Sequence, residues 1–86
     1  MYENIDEPIS VIAIFGKDYK KVRPFKMEWK DKEYLITKVG YVHKYKEGQT
    51  IWHVFSATDG TNFFELKYNS EGLHWMLGRV SDNEAH

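Results

Sequence analysis

The sequence predicts an all-β protein: six antiparallel strands in a strongly curved meander that rolls into a small barrel or half-barrel. Three observations carry this. Residues 50 to 80, TIWHVFSATDGTNFFELKYNSEGLHWMLGRV, alternate apolar and polar positions around two turn signals. The turn signals are Asp59-Gly60 and Asn69-Ser70-Glu71-Gly72. No helical period of useful length occurs anywhere in the chain.

From the N-terminus, Met1 to Glu7 reads as a flexible tail. Ile9 to Phe15 (ISVIAIF) is β-branched and apolar at nearly every position, which predicts a strand buried on both faces. Gly16 to Arg23 is a polar connection. Pro24 to Trp29 alternates Phe25, Met27 and Trp29 with Lys26 and Glu28, and its Pro marks a strand start or an edge. Lys30-Asp31-Lys32 is a tight turn. Glu33 to Lys46 is a long third strand in which Gly40, where the apolar parity changes, predicts a bulge or bend. A Glu47-Gly48-Gln49 loop leads into the fourth strand. A two-residue turn at Asp59-Gly60 sets Phe55 opposite Phe64. A four-residue loop at Asn69–Gly72 sets Leu66 opposite Trp75. Ile51, Phe55, Ala57, Phe64, Leu66, Tyr68, Leu73, Trp75 and Leu77 then share one core face, with Phe63 opposite Gly78 on the other. The organisation is a tail at 1–7, one domain at 8–82 and a tail at 83–86.

The chain has 86 residues, room for one small domain with a thin core. Its 14 aromatic residues (3 Trp, 6 Tyr, 5 Phe) compensate, since each buries a large area for few lost rotamers. With no cysteine, disulfides and thiolate metal sites are excluded and a cytoplasmic location is expected. The N-terminus MYENIDEP is not a signal peptide, and the longest apolar run, Val11 to Phe15, is far too short to span a membrane.

Charge is unevenly placed. Residues 1–16 carry three acids and no Lys or Arg, residues 17–46 ten Lys or Arg against four acids, and residues 47–86 two against six. A basic middle selects anionic partners or keeps sheet edges soluble. Its aromatic neighbours Tyr19, Trp29 and Tyr34 are the residue types that single-strand binders use, so weak nucleic-acid binding by Lys17, Lys20, Lys21, Arg23, Lys30 and Lys32 is the second functional reading. The pI of about 6.4 counts against it, being well below the basic value of about 9 usual for such domains.

Catalytic motifs are absent: there is no HExxH, no Gly-rich phosphate loop and no Cys nucleophile, so the chain does not read as an enzyme. A three-residue loop at Glu47–Gln49 places His43 opposite His53, close enough to share a metal. No third ligand accompanies them, which makes them structural, with no metal or cofactor expected. The outer face of the last three strands carries Trp52, Phe63, His74 and Met76 among polar neighbours. It is too apolar for plain solvent contact, and this predicts a binding module whose partner is a protein, acting as monomer or homodimer.

His53-Val54-Phe55, Thr58-Asp59-Gly60, Phe64-Glu65-Leu66, Tyr68-Asn69, Trp75-x-Leu77 and Ser81-Asp82 resemble a small bacterial all-β domain of unknown function. The upstream Pro24-Phe25, Trp29 and Tyr34-Leu35-Ile36 fit the same pattern, over residues 8–82. Similar segments occur in proteins linked to translesion DNA polymerases. The chain departs from that domain at Asp31 and Lys32, where Gly or Arg is usual. The resemblance implies an accessory or interaction role near DNA repair and brings no catalytic residues with it.

Overall fold

A computed structural model describes residues 2–17 and 22–82. The predicted C-terminal tail, 83–86, lies outside them. The described residues form one antiparallel sheet with no helix. Its strands are β1 (Glu3–Phe15), β2 (Val22–Trp29), β3 (Lys32–Leu35), β4 (Lys38–Glu47), β5 (Thr50–Thr58), β6 (Asn62–Asn69) and β7 (His74–Asp82). Their order across the sheet is β3-β2-β1-β7-β6-β5-β4.

There are seven strands rather than six because the long third strand divides at Ile36-Thr37. Ile36 N–H donates to the Phe25 carbonyl at 2.8 Å, and the next N–H, of Thr37, donates to the Thr58 carbonyl at 2.8 Å. The chain thus leaves β2 and joins β5 within two residues. No ladder joins β3 to β4, so the sheet does not close into a barrel. It is nevertheless rolled: Tyr34 of β3 meets Phe64 of β6 edge-on at 5.4 Å, and Phe15 of β1 meets Tyr68 at 6.2 Å.

β1 makes the roll. Its first part pairs with β7 (Glu3↔Val80 to Ile9↔Trp75) and its second with β2 (Ser10↔Glu28 to Phe15↔Val22). The expected tail at 1–7 is therefore corrected: from Glu3 onward it is paired strand, and Ile5 packs against the core. An irregularity between Asn4 and Glu7, with Asp6 at φ 51°, bends it there. The expectation that this strand is covered on both faces is also corrected. Ile9, Val11 and Ala13 pack on the core. Ile12 and Ile14 point the other way and stay 56% and 55% exposed.

Met27, Ile36, Phe55, Ala57, Phe64, Leu66, Tyr68, Trp75 and Leu77 form one buried cluster. Tyr68 and Trp75 stack obliquely at 4.7 Å, and Phe55 and Trp75 lie 5.4 Å apart. The expected core face is present except at its ends, where Ile51 and Leu73 are exposed. The registers differ by two residues from those expected. Thr58 pairs with Phe63 and Tyr68 with Trp75, so Ala57 rather than Phe55 faces Phe64 and Leu77 rather than Trp75 faces Leu66. The loops are built by side-chain caps. Asp59 Oδ1 accepts from Thr61 N–H at 2.9 Å and Asn62 N–H at 2.7 Å, and Asn69 Oδ1 accepts from Glu71 N–H at 2.9 Å and Gly72 N–H at 3.0 Å. Each cap widens its turn while leaving the side chains on their faces, because the strand period is two.

Gly40 lies in the expected bulge: Val39 pairs with Ala57 and Val42 with Phe55, leaving two residues opposite Ser56. Gly78 is a bulge residue as well, between Leu66↔Leu77 and Glu65↔Arg79. Phe63 pairs with Ser81 rather than covering Gly78.

Candidate functional site

The outer face of β4–β7 has regular rows. Tyr45, Trp52, Asn69 and His74 form one, and His43, Val54, Lys67 and Met76 the next. Three of the four expected partner-binding residues, Trp52, His74 and Met76, are therefore neighbours, and the Trp52 and His74 rings meet edge-on at 5.5 Å. Phe63 stands on the same face beyond the Glu65–Arg79 pair, joined at 2.9 Å, and does not extend their cluster.

The Trp52 cluster is covered from within the chain. Trp52 is only 9% exposed. Lys67 reaches across it, its ammonium 5.2 Å from the Trp52 ring centre and 5.5 Å from that of Tyr45. Burial lowers the Lys67 pKa. A hydrogen bond to Tyr45 and the charges of Tyr45, Asp6 and Glu47 more than offset this, so the net direction is upward. The amphipathic lysine uses its stem as cover and its charge as a cation–π contact. What reads in sequence as an unpartnered apolar face is mostly a second, small, self-sealed layer.

Phe63 belongs instead to an open groove of about 270 Å³, which Tyr2, Lys38, Gly40, Ser56 and Phe64 also line. It lies where β4 bulges, and no Gly40 side chain fills it.

The basic residues are scattered and mostly engaged. Lys20 and Lys21 lie outside the described residues. Lys30 folds onto the Trp29 ring at 4.9 Å, and Lys32 lies 6.0 Å from the ring centre of Tyr34. Lys26 pairs with Glu33 at 3.4 Å. Lys17 and Arg23 are exposed. Trp29 and Tyr34 are half-buried against the core, and Trp29 Nε1–H donates to Glu7 at 3.1 Å, so neither ring is a free platform for bases.

His43 and His53 do not face each other. The β4–β5 loop holds two residues, Gly48 and Gln49, with Gly48 at φ 63°, so Glu47 pairs with Thr50, His43 with Val54 and Lys44 with His53. That one-residue shift puts the two imidazoles on opposite faces. His43 stacks on Tyr41 at 5.2 Å and His53 lies 6.3 Å from Tyr68. Among the described residues no three His, Asp or Glu gather where they could hold a metal ion.

The sequence reading missed the outer face of β1–β3. There Ile12 pairs with Lys26 and Lys26 with Leu35, while Ile14 pairs with Arg23. Leu35 is 57% exposed, as open as the two isoleucines. A shallow hollow of about 140 Å³, lined in part by Ser10, Ile12, Lys26 and Glu33, marks the same face. A run apolar at almost every position predicts burial on both sides; the topology supplies a cover for only one.

No family model matches the chain, and no curated protein or solved structure matches it either.

Proposed function

We propose that this chain is a small, non-enzymatic binding module that takes a protein partner on the outer face of β1–β3. The supporting observation is the exposure of Ile12, Ile14 and Leu35 on one sheet face, each more than half open, with Lys26 of β2 between Ile12 and Leu35. Exposed aliphatic surface of this kind, interspersed with Arg23, Lys26, Glu28 and Glu33, is a mark of an interaction site. The face replaces the Trp52 cluster as the preferred site because Lys67 already covers that cluster. The cysteine-free composition is the reason for placing the work in the cytoplasm. The resemblance to the bacterial all-β domain is the reason for an accessory role near DNA repair.

The test is capture of partners from the source cell by wild type and by Ile12→Glu with Leu35→Glu, each with and without nuclease. The reading predicts capture that survives nuclease and is lost in the variant, with a melting temperature within a few degrees of wild type. Capture unchanged in the variant sinks this location. Capture abolished by nuclease supports the nucleic-acid reading instead. Sedimentation of the same two proteins shows whether the partner is a second copy.

A further inference from the structure

We propose that the free edge of β4 takes an acidic, extended segment of a partner protein as an added strand, with one apolar side chain of that segment seated in the groove beside Phe63. This goes beyond the face of β1–β3 and does not depend on it.

β4 is an edge strand of ten residues, hydrogen-bonded among the described strands only to β5, and all of it is exposed except the half-buried Val39. Half of its backbone N–H and C=O groups therefore point away from the sheet, where an incoming strand can use them. Its side chains include Lys38, Lys44 and Lys46 against the single acid Glu47. None of these lysines makes an ion pair to a described residue. The strand's charge thus selects an acidic partner. A second copy of β4 would set three more lysines beside these three, which cross-strand electrostatics disfavours.

The groove supplies the side-chain pocket. Its lining includes the exposed residues Tyr2 and Phe63 and the bare backbone of Gly40, and among the described residues Lys38 is the only charged one along it. It borders β4 at Gly40, so an outer-face side chain of a strand added there enters it by leaning across the bare Gly40 backbone. About 270 Å³ is room for one Leu-to-Phe-sized side chain. Lysines by themselves guard an edge against aggregation; a guard has no use for an apolar groove beside it.

Gly40 gives the experiment its handle. A Cβ built there meets nothing closer than the Ser56 carbonyl oxygen at 3.8 Å, and its φ is not positive, so a larger residue fills the groove without straining the strand. The probe is a fluorescein-labelled ten-residue peptide alternating Glu and Val with a central Phe, followed by anisotropy. The expected result is saturable binding, weakened at least tenfold by each of four changes: Gly40→Leu in the protein, Lys44→Glu with Lys46→Glu in the protein, Gly for the central Phe in the peptide, and N-methylation of alternate peptide amides. The two peptide changes leave the protein untouched, so they stand even where a protein variant melts early. No binding of the acidic peptide at millimolar concentration, equal binding of a Lys-for-Glu peptide, or full affinity of the N-methylated peptide overturns the proposal. The capture experiment on Ile12 and Leu35 is read separately, so either proposal fails alone.

Discussion

Leu73→Gly should stabilise the protein, although it deletes a large apolar side chain. Leu73 ends the β6–β7 loop at φ 55°, in the left-handed region. That conformation costs a non-glycine residue about 1–2 kcal/mol. The side chain recovers little of this, being 74% exposed. The loop's own glycine cannot take over the role, because Gly72 is held against His74 and Asn69: a Cβ there would lie 2.7 Å from His74 Nδ1 and 3.3 Å from Asn69 Nδ2. Glycine at 73 relieves the strain and costs about 0.5–1 kcal/mol through the freer unfolded chain. The net gain is about 0.5–1 kcal/mol, or roughly 2–8 °C in Tm for a domain of this size. Thermal unfolding followed by circular dichroism reads it directly. Gly48→Ala, at φ 63°, is the mirror control and should lower Tm by a similar amount. A Tm for Leu73→Gly at or below wild type would refute the strain argument and the loop geometry behind it.

The Lys30-Asp31 turn offers a second such gain. Both residues have positive φ, 55° and 62°, so Lys30→Asn with Asp31→Gly should raise Tm, and a fall would show that the hairpin is not a two-residue turn. Trp75→Ala should cost about 3–5 kcal/mol and leave the chain largely unfolded at 37 °C in a urea titration. Lys67→Ala should cost about 1–2 kcal/mol by uncovering Trp52 and Val54, and Lys67→Met less than half of that, since Met keeps the cover and loses only the charge. Zinc at low micromolar concentration should leave Tm unchanged, because His43 and His53 lie on opposite faces; a zinc-dependent rise abolished by His43→Ala would contradict the β4–β5 register.

Which parts were legible in the sequence follows from the period of a strand. The turns at Asp59 and Asn69 are each displaced by two residues from the simplest reading of Asp-Gly and of the polar loop. Two is the side-chain period, so Phe55, Ala57, Phe64, Leu66, Tyr68, Trp75 and Leu77 remain on the core face. The Thr58-Asp59 and Asn69 caps were the available signal for the wider loops. The β4–β5 loop is displaced by one residue, and that moved a histidine to the wrong face. Gly48 was the signal there, since a single glycine at the first turn position suits a two-residue loop. Sheet order was not legible. Local pattern places each strand beside its sequence neighbours, whereas the pairing of β1 with β7 and the split at Ile36-Thr37 depend on contacts far apart in the chain. That is why the apolar candidate site moved from Trp52, which Lys67 covers, to Ile12 and Ile14, which nothing in the described chain covers.

Site-specific photo-crosslinking in the source cell tests the central claim most directly. A benzophenone side chain at position 12, on the open face of β1, is compared with one at position 71, in the exposed β6–β7 loop. The account predicts a discrete protein adduct from position 12 that survives nuclease and is missing from position 71. Identical adducts from both positions, or none from position 12, would contradict it.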